Sequence, residues 1–139
     1  MNGRTLLLVA ALALVVAAGA SAARLDVSRG TPGPDTLSGT AGDDLIYARA
    51  GNDIVYGGDG NDVIWVGAGA DVQYGGPGND VLHALANDNE RDVLDCGPGF
   101  DVAYIVEHDP VTLHGCEQVI RLTPAEAAAA GAADDDDTR

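Results

Sequence analysis

An aspartate returns every nine residues from Asp35 to Asp80, through Asp44, Asp53, Asp62 and Asp71. Each follows a glycine by two positions (Gly33, Gly42, Gly51, Gly60, Gly69, Gly78) and precedes, again by two, one of Leu37, Ile46, Val55, Ile64, Gln73 and Leu82. A period held through six returns means one structural unit used six times, and a unit this short buries its apolar face only against its neighbours.

The nonapeptides run from Gly30 to His83 without a gap: GTPGPDTLS, GTAGDDLIY, ARAGNDIVY, GGDGNDVIW, VGAGADVQY and GGPGNDVLH. Glycine reaches positive φ at little steric cost, and Asn or Asp beside it tolerates the left-handed region, so the first six positions predict a turn. The last three, β-branched or aromatic, predict a short strand whose middle residue points inward. The inward column is then Leu37, Ile46, Val55, Ile64, Gln73 and Leu82, with Gln73 standing where an aliphatic residue belongs. One turn and one strand reverse the chain once, so two nonapeptides close a coil and the six repeats make three. Successive coils stack as parallel strands about 4.8 Å apart, giving two facing sheets around a thin core.

The flanks differ from the middle. Met1 to Ala23 reads as a secretory signal, with basic Arg4, an apolar run from Leu6 to Ala18 and small residues at Ala20-Ser21-Ala22. The run is shorter than the roughly 20 residues that cross a bilayer as a helix, so a cleaved signal is preferred to an anchor and the mature chain is expected outside the cell without membrane insertion. Residues 24–29 are a lead-in, either a first strand or a linker. After His83 the rhythm slips: Asp92 lies 12 residues beyond Asp80, as if Ala84 to Ala86 were inserted, and Asp101 follows nine later. Residues 84–122 are read as degenerate repeats and a C-terminal cap, with strands at Ala103–Val106, Val111–Leu113 and Gln118–Leu122. Residues 123–139 give a short helix, opened by Thr123 as N-cap, Pro124 and Glu126, and an acidic tail at Asp134 to Asp137.

Charge narrows the partners. The chain has 22 Asp plus Glu against 7 basic residues, all Arg, for a formal charge of −15. It repels nucleic acid and anionic membranes and attracts cations. Two cysteines, Cys96 and Cys116, are expected to pair in an oxidising compartment, worth about 3 kcal/mol on loop-entropy grounds. The alternative, free thiols or half a zinc site, lacks supporting Cys or His spacing.

The repeat resembles the RTX family of hemolysin-type calcium-binding repeats, whose nonapeptide reads G-G-x-G-x-D-x-U-x with an apolar U. The resemblance implies an all-β parallel β-roll, here with a small disulfide-pinned C-terminal β cap, and Ca2+ held between the turns of neighbouring coils. It implies as ligands the carboxylates of Asp35, Asp44, Asp53, Asp62, Asp71 and Asp80, together with turn carbonyls such as those of Gly33, Gly42, Gly51, Gly60, Gly69 and Gly78. Calcium, a hard ion taking six to eight oxygens, suits such a mixed shell. Coil neighbours are two repeats apart, so Asp35, Asp53 and Asp71 share one edge, Asp44, Asp62 and Asp80 the other, with two complete gaps on each. Thr31, Thr40, Ala48, Arg49 and Val66 stand where the family has glycine. Stacked carboxylates about 5 Å apart repel by roughly 3 kcal/mol at an effective dielectric near 20, so the roll is expected to fold only when cations fill the gaps, as after export into millimolar calcium.

The ninth positions, Ser38, Tyr47, Tyr56, Trp65, Tyr74 and His83, are expected to face outward as two ladders that either pair among themselves or stack on an extracellular glycan or protein. His83, His108 and His114 are scattered, Glu107 and Asp109 fall in a solvated turn, and no nucleophile-base pattern, phosphate loop or H-E-x-x-H motif is present. The reading is therefore a secreted, non-enzymatic calcium-binding module with a structural or adhesive role. The alternative is a small calcium-dependent lyase acting on carbohydrate from a β-solenoid.

Overall fold

The computed structural model describes residues 25–131. The signal-like segment and the acidic tail lie outside them. Eleven strands run in order: β1 Asp26–Arg29, β2 Thr36–Ser38, β3 Asp44–Tyr47, β4 Ile54–Tyr56, β5 Val63–Val66, β6 Val72–Tyr74, β7 Val81–Ala84, β8 Asp92–Asp95, β9 Val102–Val106, β10 Val111–His114 and β11 Gln118–Leu122. One helix, α1 Pro124–Gly131, follows.

Odd-numbered strands form one six-stranded sheet and even-numbered strands a five-stranded one, each in sequence order and parallel throughout. This is a solenoid of about five coils. The lead-in is its first strand, since Asp26–Arg29 pairs with β3. The disulfide-pinned end continues the same two ladders, β10 on β8 and β11 on β9, rather than forming a sheet of its own.

The core is the inward column. Ile46, Val55, Ile64, Leu82, Leu94 and Ala103 are fully buried. Gln73 lies among them at 0 % exposure and donates from Nε2 to the His83 carbonyl oxygen at 3.2 Å, crossing the thin core from β6 to β7. The odd sheet has a second inward residue per strand, Ala48, Val66, Ala84 and Ile105. Val66, expected to open a turn, therefore ends β5, and Ala48 follows the last residue of β3 directly, because an apolar side chain there is worth more in the core than in solvent.

Outside, the ladders form as the register requires. Tyr47, Trp65, His83 and Tyr104 stack in series on the odd sheet, with Trp65 and His83 rings 3.6 Å apart, and Arg29 lies over Tyr47. Tyr56 and Tyr74 stack at 5.0 Å on the even sheet and stay exposed. His83 departs from expectation. It faces out from the coil yet is 6 % exposed, sandwiched between Trp65 and Tyr104. Burial holds its imidazole down to about 4, so it is neutral at physiological pH. Helix α1 closes this side: Ala127 packs with Leu85, Val106, Trp65, Tyr104 and Leu122. Its start is a reciprocal cap, the Thr123 N–H donating to Glu126 Oε2 and the Glu126 N–H to Thr123 Oγ1.

Candidate metal centre

Each repeat aspartate sits at the last position of its turn, just before or at the start of a strand, and its side chain turns inward beneath the glycine-rich half. Asp44, Asp53, Asp62, Asp71, Asp80, Asp92 and Asp101 are all at most 3 % exposed. From Asp53 onward, one oxygen of each carboxylate ties coils together. On one edge the N–H groups of Asp35, Asp53 and Asp71 donate to Oδ1 of Asp53, Asp71 and Asp92 at 2.8 to 2.9 Å. On the other edge Asp44, Asp62 and Asp80 donate to Oδ1 of Asp62, Asp80 and Asp101, and Asp101 to Glu117 Oε2. The predicted two rows are thus brought together as expected, and each continues past Asp80 through residues that break the nine-residue rhythm.

The second oxygen distinguishes the sites. Asp35 Oδ2 accepts from the Thr31 N–H and hydroxyl, and Asp44 Oδ2 from those of Thr40. The threonines that replace glycine in the first two repeats thereby satisfy their own aspartates. In Asp53, Asp62, Asp71, Asp80 and Asp101 the Oδ2 is buried without any hydrogen-bond partner. An ionised oxygen in that position costs several kcal/mol unless a cation compensates it.

Glycines shape the space around these oxygens. A methyl group built on Gly57 would fall within 3.0 Å of both Asp62 Oδ2 and the Gly75 carbonyl oxygen of the next coil. The same pairing recurs at Gly39, with Asp44 Oδ2 and the Gly57 carbonyl, and at Gly75, with Asp80 Oδ2 and the Cys96 carbonyl. A side chain here would strike both a carboxylate oxygen and a main-chain carbonyl, so glycine is what lets the coils approach this closely. On the opposite edge Gly30 is equally crowded, whereas Ala48 and Val66 put core side chains at the equivalent position. The second glycine column, Gly33-Gly51-Gly69 and Gly42-Gly60-Gly78, stacks so that each carbonyl abuts the next coil's glycine backbone, and Gly51, Gly60, Gly69 and Gly78 have positive φ.

Among the described residues, no three His, Cys, Asp or Glu side chains gather into a group that could hold a metal by themselves. A cation in these gaps would meet carboxylate and carbonyl oxygens, a donor set that fits calcium better than soft, thiolate-seeking metals. The electrostatics agree. Burial pushes Asp62 up to about 6 and Asp71, Asp80 and Asp92 up to about 7, the accepted backbone N–H pulls each down, and neighbouring carboxylates add to the rise. Asp53 and Asp101 are raised for the same first reason.

A family model described as the RTX calcium-binding nonapeptide repeat matches residues 29–64 and 50–82. Residues 29–82 are RTX repeats. Such repeats bind Ca2+, and the unpartnered oxygens of Asp53, Asp62, Asp71 and Asp80 lie inside the matched span. Searches of curated proteins and of solved structures return no match.

Several contributors to the RTX turns escape the aspartate rhythm. Asn61 and Asn79 accept, through Oδ1, the N–H groups of Asn79 and Phe100 in the next coil, and Asp43 accepts that of Asn61. In the long turn before β8, Asp88 Oδ2 takes the Gly69 N–H, a role filled elsewhere by a carbonyl such as that of Ala68 or Pro77. Glu117, 16 residues after Asp101, ends the second row. The recurring Asn before Asp was a readable signal for the first group. Nothing in the local sequence marks Glu117. His108 and Glu107 line an open depression with Asp109 and Arg121, and Asp109 accepts the Asn89 N–H.

Proposed function

We propose that this protein is an exported calcium-binding β-roll that folds on meeting calcium and then serves as a structural or adhesive module without catalysis. The supporting observation is that Asp53, Asp62, Asp71 and Asp80, all within the matched RTX repeats, each bury a carboxylate oxygen with no partner. The ions sit between successive turns. Asp53, Asp62, Asp71 and Asp80 supply carboxylate oxygens and the glycine-rich halves, including Gly51, Gly60, Gly69 and Gly78, supply carbonyls. Asp35 and Asp44, already satisfied by threonine, act mainly as the N-terminal lid of each row. The exposed Tyr56–Tyr74 pair is the surface available for a glycan or protein contact.

Calorimetric calcium titration, followed in parallel by circular dichroism, tests this reading. The expected result is binding of several ions with growth of β signal. N-terminal sequencing of the protein from culture medium tests export, with a start near Ala23 expected.

A further inference from the structure

The roll has two open ends. Among the described residues, β1 and β11 are the outermost strands of the odd sheet and β2 and β10 those of the even sheet, each with one edge unpaired. Solenoid ends are commonly closed by a polar capping element, and an edge left open is a template for another chain. Here the apolar core column runs out into solvent at both ends. Val119 holds the inward position of β11 beside fully buried Ala103, yet is 36 % exposed. Leu37 holds it in β2 beside fully buried Val55 and is only half-buried, and Leu25 and Val27 at the same end are exposed. Helix α1 lies against the flank, on Trp65, Tyr104, Val106 and Leu122, and leaves Gln118 and Val119 uncovered.

The two ends match each other. Strands alternate between the sheets, so the place after β11 lies in the even sheet beside β10, and the next in the odd sheet beside β11. Strands of the two sheets run in opposite directions, because each turn reverses the chain. A second copy rotated half a revolution about the roll axis therefore sets its β1 parallel to β10 and its β2 parallel to β11. Keeping the repeat register puts the copy's Leu37 beside Val119 and its Ser28 beside Leu113, both inward pairs. The copy's Arg29, the one basic residue among residues 25–39, comes beside His114 and one strand from Asp95. The backbone agrees. Along this row the Asp80 N–H donates to Asp101 Oδ1 and the Asp101 N–H to Glu117 Oε2. The Glu117 N–H then has no acceptor among the described residues, and at the other end Asp35 Oδ1 has no donor. In the matched stack these two groups meet.

We infer that the C-terminal end of one molecule binds the N-terminal end of a second copy of this chain, β10 and β11 pairing with the copy's β1 and β2, to give open-ended head-to-tail chains. Such a contact joins two different surfaces and does not close, so growth has no fixed limit. The inference rests on the exported, calcium-filled roll proposed above. Removal of the signal near Ala23 leaves almost nothing ahead of Leu25 to cover β1, and calcium offsets the formal charge of −15 that holds two copies apart.

Sedimentation velocity of the purified protein in millimolar calcium, over a concentration series, reads the association directly. The weight-average mass is expected to rise about threefold or more between about 10 µM and about 1 mM, through a ladder of species without a preferred size. Two variants test the surfaces, Leu37→Lys at the N-terminal end and Val119→Lys at the C-terminal end. Each alone is expected to stay monomeric, and an equimolar mixture to stop at twice the monomer mass, since only the two unmodified ends can join. The series on the unmodified protein decides even where a variant fails to fold. A monomeric mass at every concentration, as when the chain's own terminal segments cover the ends, overturns the inference, and so does a closed dimer that both variants still form. Circular dichroism of the same samples keeps the two readings apart. Full β signal gained with calcium but no growth in mass overturns the inference alone, whereas growth that is equal in EDTA and in calcium supports it and counts against the calcium reading. Neither β signal nor growth overturns both.

Discussion

Gly57 shows how little freedom a turn residue has here. Its backbone does not need positive φ, yet a methyl group there would strike the Gly75 carbonyl and Asp62 Oδ2. Gly57→Ala is expected to destabilise the calcium-bound roll by about 1–3 kcal/mol, the usual scale of overpacking. An unchanged midpoint in urea unfolding would show that the neighbouring coil gives way to the methyl group. Gln73 behaves differently. Its Nε2 is satisfied but its Oε1 is buried and unpartnered between Val55 and Leu94. Gln73→Leu should therefore raise stability by about 1 kcal/mol in urea unfolding, since a buried unsatisfied polar atom costs more than the bond beside it returns. Thr40→Ala removes the hydroxyl bonded to Asp44 and should lower stability in EDTA by about 1 kcal/mol, more than it does in calcium.

At the scale of elements, the nine-residue rhythm made the six central strands and their alternation legible, because a turn ending in Asp and a three-residue apolar tail leave few other options. The rest was hidden for physical reasons. Ala48 and Val66 are turn positions by period but core positions by packing, and only their place at the end of the odd-numbered sheet decides between them. The 12-residue step from Asp80 to Asp92 left Asp92 and Asp101 readable only as degenerate repeats, whereas they extend the same rows in full register, since a longer turn lets the strand return with Asp88 standing in for a carbonyl. His83 is buried by rings from strands 18 and 21 residues away in sequence, which no local pattern reports. The capping box was legible, but its helix is too short to persist alone and rests on the contacts of Ala127. Deleting residues 124–139 should expose Trp65 and shift its fluorescence to the red, while unchanged emission would place the helix elsewhere. Losing the disulfide should cost about 3 kcal/mol.

At the scale of the whole molecule, buried aspartates make the metal-free roll acid-loving. Their folded pKa values lie above the unfolded value of 3.8. Such groups bind more protons folded than unfolded, so stability in EDTA should rise as pH falls from about 8 through 7 toward 5. His83 opposes this, because a depressed imidazole loses stability as pH falls from 6.5 to about 4. Four raised carboxylates against one histidine leave the net trend upward between pH 8 and 6. With calcium the order reverses, since protons and metal compete for the same oxygens, and binding near pH 7 should release protons, seen as a buffer-dependent enthalpy.

The central claim is that calcium between the turns supplies the stability that stacked carboxylates withdraw. Circular dichroism of the oxidised protein through a calcium titration starting in EDTA tests it most directly. The expected result is a weak β spectrum in EDTA that grows cooperatively and saturates by millimolar calcium. The same full β spectrum in EDTA and in millimolar calcium would contradict it.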